Sequence, residues 1–286
     1  MKRPDALAAL ETLDGTKTQH RISCPACGRG PNDRTMGVTL DVDGGAVWHC
    51  FRCGVAGARA DRQISHYIGN SFVRRPEHKQ FDTLAPRWAS YWNRLGVLRD
   101  DGLAYLNARG CAIPPLDGDL RFDPMARHPS GYVGPAIVGL VTDATDARIA
   151  RTLHRTWIQA NGIKAHLQTP RMLLRRHRKA GGVIRLWPDE AVTVAVGVAE
   201  GVESALSAAR VFKPMWCCLD AGNLGQLPML PGVEAITIFA DHDPPGLRAA
   251  EACASRWSDV GRLVRIVCPP EAGQDMNDIL REERHA

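Results

Sequence analysis

Carboxylates that follow apolar runs are the residues of this chain best placed to do chemistry. The β-branched run in VTVAVGVAEGVESALSAA (192–209) ends in Glu200, and that in ITIFADHDPPG (236–246) ends in Asp241 and Asp243. In an open α/β sheet ligands gather at the carboxyl ends of the strands, so these acids are expected to face one crevice. Two acids separated by one residue point the same way in extended backbone, which lets Asp241 and Asp243 share a cation while His242 acts as a spacer. Asp275 in GQDMNDIL (273–280) can reach the same crevice, and Asp278 is either a further ligand or the acid that opens the last helix. Three converging carboxylates make a site for a hard divalent cation, most naturally Mg²⁺. Glu203 falls on the first turn of the next helix, where an acid steadies the helix dipole by about 0.3–1 kcal/mol, and that role suffices for it.

Four of the nine cysteines form two pairs, Cys24 and Cys27 in CPACGRG, then Cys50 and Cys53 in WHCFRCG, with 22 residues between Cys27 and Cys50. Each CxxC turn presents two thiolates to one ion, the spacing of a tetrahedral four-cysteine site for a single structural Zn²⁺. His20 and His49 are the alternative ligands. Asp43-Gly44-Gly45, between MGVTLDV and AVWHC, reads as a hairpin turn and completes a zinc ribbon. Trp48, Phe51 and Arg52 surround the second pair, and aromatics beside a cation suit base stacking, although Trp48 equally suits the ribbon's small core. The other five, Cys111, Cys217, Cys218, Cys253 and Cys268, fall in apolar stretches and are expected to be buried.

Charge is unevenly spread. The net +5 of the 286 residues hides a stretch, 151–185, with nine Lys and Arg and no acid, followed by 186–286 with eight against fifteen acids. An acid-free run lacks the i,i+4 pairs that accompany a solvated helix face, so phosphate contact is the better reading, with Arg155, Lys164, Arg171, Arg175 and Arg176 as the candidate nucleic-acid or nucleotide contacts. Trp157 among them is read as core.

The elements that must position these groups follow from periodicity. PDALAALETL (4–13) reads as a short helix stopped near Gly15, and 68–84 as a linker. RWASYWNRLGVL and DDGLAYLNARGC suggest two short helices with Trp88, Tyr91 and Trp92 on a core face; LRFDP, GPAIVGLVTD and ARIARTLHRTWI read as strands of an antiparallel sheet, the last two joined near Thr145-Asp146. Beyond 190 the chain alternates strands at 192–198, 214–219, 235–240 and 262–267 with helices at 202–212, 245–257 and from 277, a βαβ rhythm that implies a mostly parallel sheet. The expected division is a ribbon at 1–67, the linker, a basic α+β subdomain at 85–189 and an α/β domain at 190–286. With 44% hydrophobic residues the chain can build real cores. No run of about 18 apolar residues and no signal peptide are present, which places the chain in a cytoplasm with no membrane partner.

VAEGVESALSA, FADHDPPG and GQDMNDIL together resemble the Toprim domain shared by DnaG-type primases, topoisomerases, some nucleases and recombination proteins. Preceded by a four-cysteine ribbon and a basic subdomain, the whole chain looks like a DnaG-type primase of the phage or plasmid kind. The resemblance implies that Glu200 is the catalytic glutamate, that Asp241 and Asp243 are the metal-binding pair with Asp275 as the later acid, and that Cys24, Cys27, Cys50 and Cys53 hold zinc. It implies short RNA primers made on single-stranded DNA from NTPs with Mg²⁺ or Mn²⁺, with Glu200 either moving a proton or completing the metal shell. Two departures stand out: CPAC where many cellular primases have a histidine ligand, and a chain that stops soon after Asp278, so that any replicative helicase would be a separate protein. A Toprim-type nuclease would need the same acids, and a non-catalytic single-stranded DNA-binding or recombination-mediator protein would need only the scaffold.

Overall fold

The computed structural model describes residues 13, 19–27, 34–40, 45–53, 55–59 and 81–283. The helix expected at 4–13, the start of the Asp43-Gly44-Gly45 turn and most of the 68–84 linker lie outside these residues. The chain divides into two compact units, 1–77 and 78–286.

In the first unit β1 (Gln19–Ile22), β2 (Met36–Leu40), β3 (Ala46–Cys50) and β4 (Ala56–Arg59) form an antiparallel sheet in the order of the chain. Met36, Val38, Ala46 and Cys50 alternate into a small core with Cys24. Trp48 pairs across strands with Gly57, and a Cβ at that glycine would lie 2.3 Å from the indole, so only glycine lets the ring lie flat on β4.

The second unit is built on one nine-stranded sheet. Its first half holds α1 (Pro86–Arg94), α2 (Asp100–Ala108), β5 (Leu120–Arg127), β6 (Val133–Asp143), β7 (Ala150–Trp157), β8 (Arg171–Leu173) and β9 (Gly182–Arg185). Its second half alternates β10 (Ala195–Ala199), α3 (Val202–Ala208), β11 (Met215–Cys217), α4 (Ala221–Gly225), β12 (Ala235–Phe239), α5 (Pro244–Asp259), β13 (Leu263–Val267) and α6 (Met276–Glu283). The sheet runs β13-β12-β10-β11-β9-β6-β7-β8, with β5 on β6. The last four strands in sequence are parallel to one another, as their βαβ rhythm requires, and β5 to β8 are antiparallel.

The two halves, expected as separate sheets, are joined by β9, which pairs antiparallel with β6 on one side and with β11 on the other. All four of its residues are buried. Arg185 of the basic run is therefore a joint: 4% exposed, it donates to Thr142 Oγ1 at 2.5 Å, Asp143 O at 2.9 Å, Ala144 O at 3.1 Å and Asp189 at 2.5 Å.

The parallel strands are covered on both faces. Val196, Val198, Ile236 and Ile238 meet Leu224, Cys253 and Trp257 from α4 and α5, while Ala199 and Phe239 meet Leu206 of α3 and Tyr105 of α2. Trp88, Tyr91 and Trp92 of α1 pack on Val138, Leu153 and Leu174, as the helical spacing predicts. Cys111, Cys217, Cys218 and Cys253 are buried; Cys268 is exposed, because it follows the edge strand β13. Among the described residues no helix is long and apolar enough to cross a membrane.

Candidate active site

The parallel pairing of Ala199 with Phe239 brings the ends of β10 and β12 side by side, so Glu200 and Asp241 leave the sheet at the same edge. Asp243 caps α5 by accepting the Gly246 N–H at 2.8 Å, and Ser204 Oγ donates to Asp241 Oδ1 at 3.3 Å. The loop after β13 returns Asp275 to this edge. His242 holds that loop: its N–H donates to Gln274 O at 2.9 Å, its carbonyl accepts from Gly273 at 2.7 Å, and its Nδ1 meets Pro269 O at 2.8 Å. It is more than the spacer expected of it. Asp275 Oδ1 accepts the N–H groups of Asn277 and Asp278 at 2.7 and 3.0 Å, while Asp278 Oδ2 accepts the Asp275 N–H at 3.0 Å, a reciprocal cap on α6.

Glu200, Asp241 and Asp275 line one cleft of about 410 Å³; Asp243 and Asp278 stand outside its lining. A fourth acid, Asp220, joins them. It follows β11, caps α4 and pairs with Lys179. The signal was present in WCCLDAGN, another apolar run ending in an acid, but only the structure shows that β11 lies beside β10.

Burial, and then repulsion from Asp241, Asp243 and Asp220, raise the Glu200 carboxyl to about 8. Burial, Asp275 and Asp243 raise Asp241 to about 7. Glu200 Oε1 is buried without a hydrogen-bond partner, and a Cβ on Gly246 would fall 2.9 Å from it and 2.5 Å from the Asp241 carbonyl. A divalent cation among these oxygens would offset both the burial and the mutual repulsion, so the donor set fits one. The carboxylates are more widely spread than the cysteines, which among the described residues are the only group of three or more ligand atoms all within 4.8 Å of one another.

The same cleft is also lined by cations, Arg109, Lys164 and Arg171, beside His154. Arg109 was not singled out from the sequence; it ends α2, far along the chain from the basic run. Glu203 does not serve as an exposed dipole acid. It is 5% exposed, 3.0 Å from Lys164 Nζ and 3.9 Å from Arg171, and it accepts the Tyr105 hydroxyl at 2.8 Å. Burial works against its charge, but Lys164 and Arg171 hold its carboxyl well below the usual range.

The rest of the basic run is distributed differently from the acid-free stretch the sequence presents. Arg155 is buried, with its guanidinium 5.5 Å from the Trp88 ring centre and 4.9 Å from that of Trp157, whose Nε1 donates to Ala126 O at 3.0 Å. Arg151 pairs with Asp143, Lys179 with Asp220, Arg185 with Asp189, and Arg178 with Asp82 at 3.6 Å. Arg175 and Arg176 are exposed and lie outside the cleft's lining.

In the first unit Cys24 Sγ lies 3.7 Å from Cys53 Sγ, and Cys27 Sγ 3.7 Å from Cys50 Sγ. A tetrahedron with Zn–S of about 2.3 Å has an edge of about 3.8 Å, so the four sulfurs have the spacing of a zinc site without either histidine. His49 stacks edge-on against Phe51 instead, with ring centres 4.9 Å apart. Trp48 is half-buried against the ribbon core, whereas Phe51 is 61% exposed beneath the Arg21 guanidinium at 4.3 Å, with half-buried Arg52 next in sequence. Arg21 was not anticipated as a neighbour of Phe51.

The C-terminal part, a parallel sheet carrying acids at its strand ends, matches the Toprim domain family over residues 195–286. Residues 87–186 match a domain of unknown function, DUF7146. No curated protein matches the chain. Among solved structures the chain is similar to a DNA primase domain from Pseudomonas aeruginosa, at 14% identity over 69% of this chain and 74% of that one, with a TM-score of 0.44. It is similar to the primase fragment of the bacteriophage T7 primase-helicase protein at 16% identity over 93% and 96%, with a TM-score of 0.43. To the zinc-binding and RNA polymerase domains of the Aquifex aeolicus primase it shows 13% identity over 97% and 79%, with a TM-score of 0.44.

Proposed function

We propose that the chain is a DNA-templated primase that joins ribonucleotides into short RNA primers on single-stranded DNA. The observation that carries this reading is the single cleft lined by Glu200, Asp220, Asp241 and Asp275 together with Arg109, Lys164 and Arg171. The acids suit divalent cations and the basic side chains suit phosphates, the two requirements of nucleotidyl transfer. Mg²⁺ or Mn²⁺ would be held by Asp241, Asp275 and Asp243 and would supply charge neutralisation and activation of the attacking hydroxyl. Glu200 takes the proton of the primer 3′-hydroxyl or completes the cation's shell. Lys164, Arg171 and Arg109 hold the triphosphate. Arg175 and Arg176 meet the template backbone. In the ribbon one structural Zn²⁺ on the four cysteines fixes the loop that carries Phe51 and Arg52, which stacks template bases. A replicative helicase would deliver the template.

The test is an assay of the purified protein with single-stranded DNA, labelled NTPs and Mg²⁺ or Mn²⁺, beside Glu200→Gln. Short labelled RNA that falls by roughly 10²-fold or more in the variant is the expected result. Shortened DNA would instead make the chain a nuclease, and tight binding with neither product would make it a recombination mediator.

A further inference from the structure

Glu203 is one helical turn beyond Glu200, on the buried side of α3, and three elements converge on its carboxylate. Tyr105 of α2 donates its hydroxyl to Oε1 at 2.8 Å, Lys164 approaches the same oxygen at 3.0 Å, and Arg171 at the start of β8 reaches Oε2 at 3.9 Å. Tyr105 is 1% exposed and Glu203 5%, so the carboxylate is clamped in place. Lys164 is anchored through the bridge between Ile158 and Lys164, and Arg171 pairs with Thr156 in the sheet. Both cations line the cleft that Glu200 and Asp241 also line.

Stability alone does not account for this arrangement. Burying a carboxylate against an ammonium costs about as much in lost hydration as the attraction returns, and a well-packed apolar residue at the same place is often as stable or more so. A dipole acid on the first turn of α3 needs no burial at all. What the buried acid does is hold two long, flexible cations in one place at the edge of the cleft. One carboxylate against Lys164 and Arg171, with Arg109 also lining the cleft, leaves this group of side chains net positive.

We propose that Glu203 is a positioning residue which fixes Lys164 and Arg171 so that they grip the phosphates of an incoming nucleoside triphosphate. The inference rests on the nucleotidyl-transfer reading of the cleft. The same cations could in principle be turned to the phosphates of the template strand, and the experiment separates the two sources.

The decisive variant is Glu203→Gln, which keeps the side chain's shape and removes its charge. With wild-type protein that primes, the variant is expected to raise KM for NTP by about tenfold, the size of one charge-assisted contact, with kcat and single-stranded DNA affinity within about two-fold of wild type. Removing the carboxylate leaves Lys164 with the repulsion of Arg171 and Arg109 and without its counterion, and burial already lowers its pKa against the pull of Glu203. Measured at a lower and a higher pH, the KM of the variant should therefore exceed that of wild type by a larger factor at the higher pH, with the titration of Glu200 and Asp241 common to both proteins, a response that a merely structural role does not produce. If the variant does not fold, Tyr105→Phe keeps the ring in the core, removes only the hydrogen bond to Oε1, and is expected to raise KM for NTP by about two-fold or more. An NTP KM equal to wild type at both pH values, or a loss confined to DNA affinity, overturns the proposal. Wild-type protein that makes no RNA defeats the reading of the cleft itself, a separate result.

Discussion

His154 shows how one side chain registers the chemistry of its surroundings. It lines the cleft, where burial lowers its imidazole to about 4, with Glu203 pulling upward and Arg171, Lys164 and Arg155 pushing down. In the unfolded chain the ring takes its proton near pH 6.5, the ordinary value. Between those two pH values the unfolded chain binds more protons than the folded one, so stability is intact above 6.5 and is lost as pH falls towards about 4. The shift corresponds to about 3 kcal/mol at the acid end. Glu200 and Asp241, whose carboxyls are raised in the fold, act in the opposite sense over the same range, so the His154 contribution is read as a difference. Between pH 7 and about pH 4.5, urea unfolding should show wild type losing most of that amount relative to His154→Gln; an equal pH slope in the two proteins would assign the acid sensitivity elsewhere. Glu200 and Glu203 make the same point in contrast. They are three residues apart, yet the charges that act on one are those of Asp241, Asp243 and Asp220, and the other meets Lys164, Arg171 and Tyr105. Their local sequences do not distinguish them, because the partners come from residues 105, 164 and 171.

At the scale of elements, the part legible in the sequence is the part written locally along the chain. Strands at 192–198, 235–240 and 262–267 fall within a few residues of β10, β12 and β13, and the acids behind them meet in one cleft, because a buried parallel strand and the turn at its end are a continuous pattern. The paired cysteines were legible for the same reason. The β9 joint was not: GVIR reads as a short apolar run at the end of a basic stretch, and only its partners β6 and β11 make it a strand. Gly246 is a second element-level feature that spacing could not reveal. It sits in the first turn of α5, where alanine would normally favour the helix by about 1 kcal/mol. Here a Cβ would press on Glu200 Oε1 and the Asp241 carbonyl. Gly246→Ala should therefore keep the fold and lose primer synthesis by roughly tenfold or more, with weaker Mn²⁺ binding by titration calorimetry. Wild-type activity and Mn²⁺ affinity in that variant would mean that the space above Gly246 is not used.

Across the whole molecule, the acid-free run at 151–185 and the acidic excess beyond it belong to one electrostatic design. Much of the positive charge is engaged internally: Arg151, Lys164, Arg171, Arg178 and Lys179 each pair with an acid outside the run, Arg185 pairs with Asp189 just beyond its end, and Arg155 is buried against two indoles. The absence of i,i+4 partners was read as a sign of free cations, but β-strands and loops find their counterions across the sheet. That difference is measurable through salt. Binding of a single strand loses affinity with a log–log slope of about −0.7 per neutralised phosphate, so nine free cations in this stretch would contribute a slope of about −6. With Arg171 held by Glu203 as well, seven of the nine are engaged, and the stretch contributes a slope far shallower than that. Equilibrium binding of labelled single-stranded DNA from low to moderate salt should show Arg175→Ala making the slope shallower by about 0.7. Arg151→Met, which removes a cation already held by Asp143, should leave the slope unchanged. If the two substitutions shift the slope equally, Arg151 leaves Asp143 for phosphate when the strand binds, and the internal pairs are a reserve of positive charge that DNA can draw out.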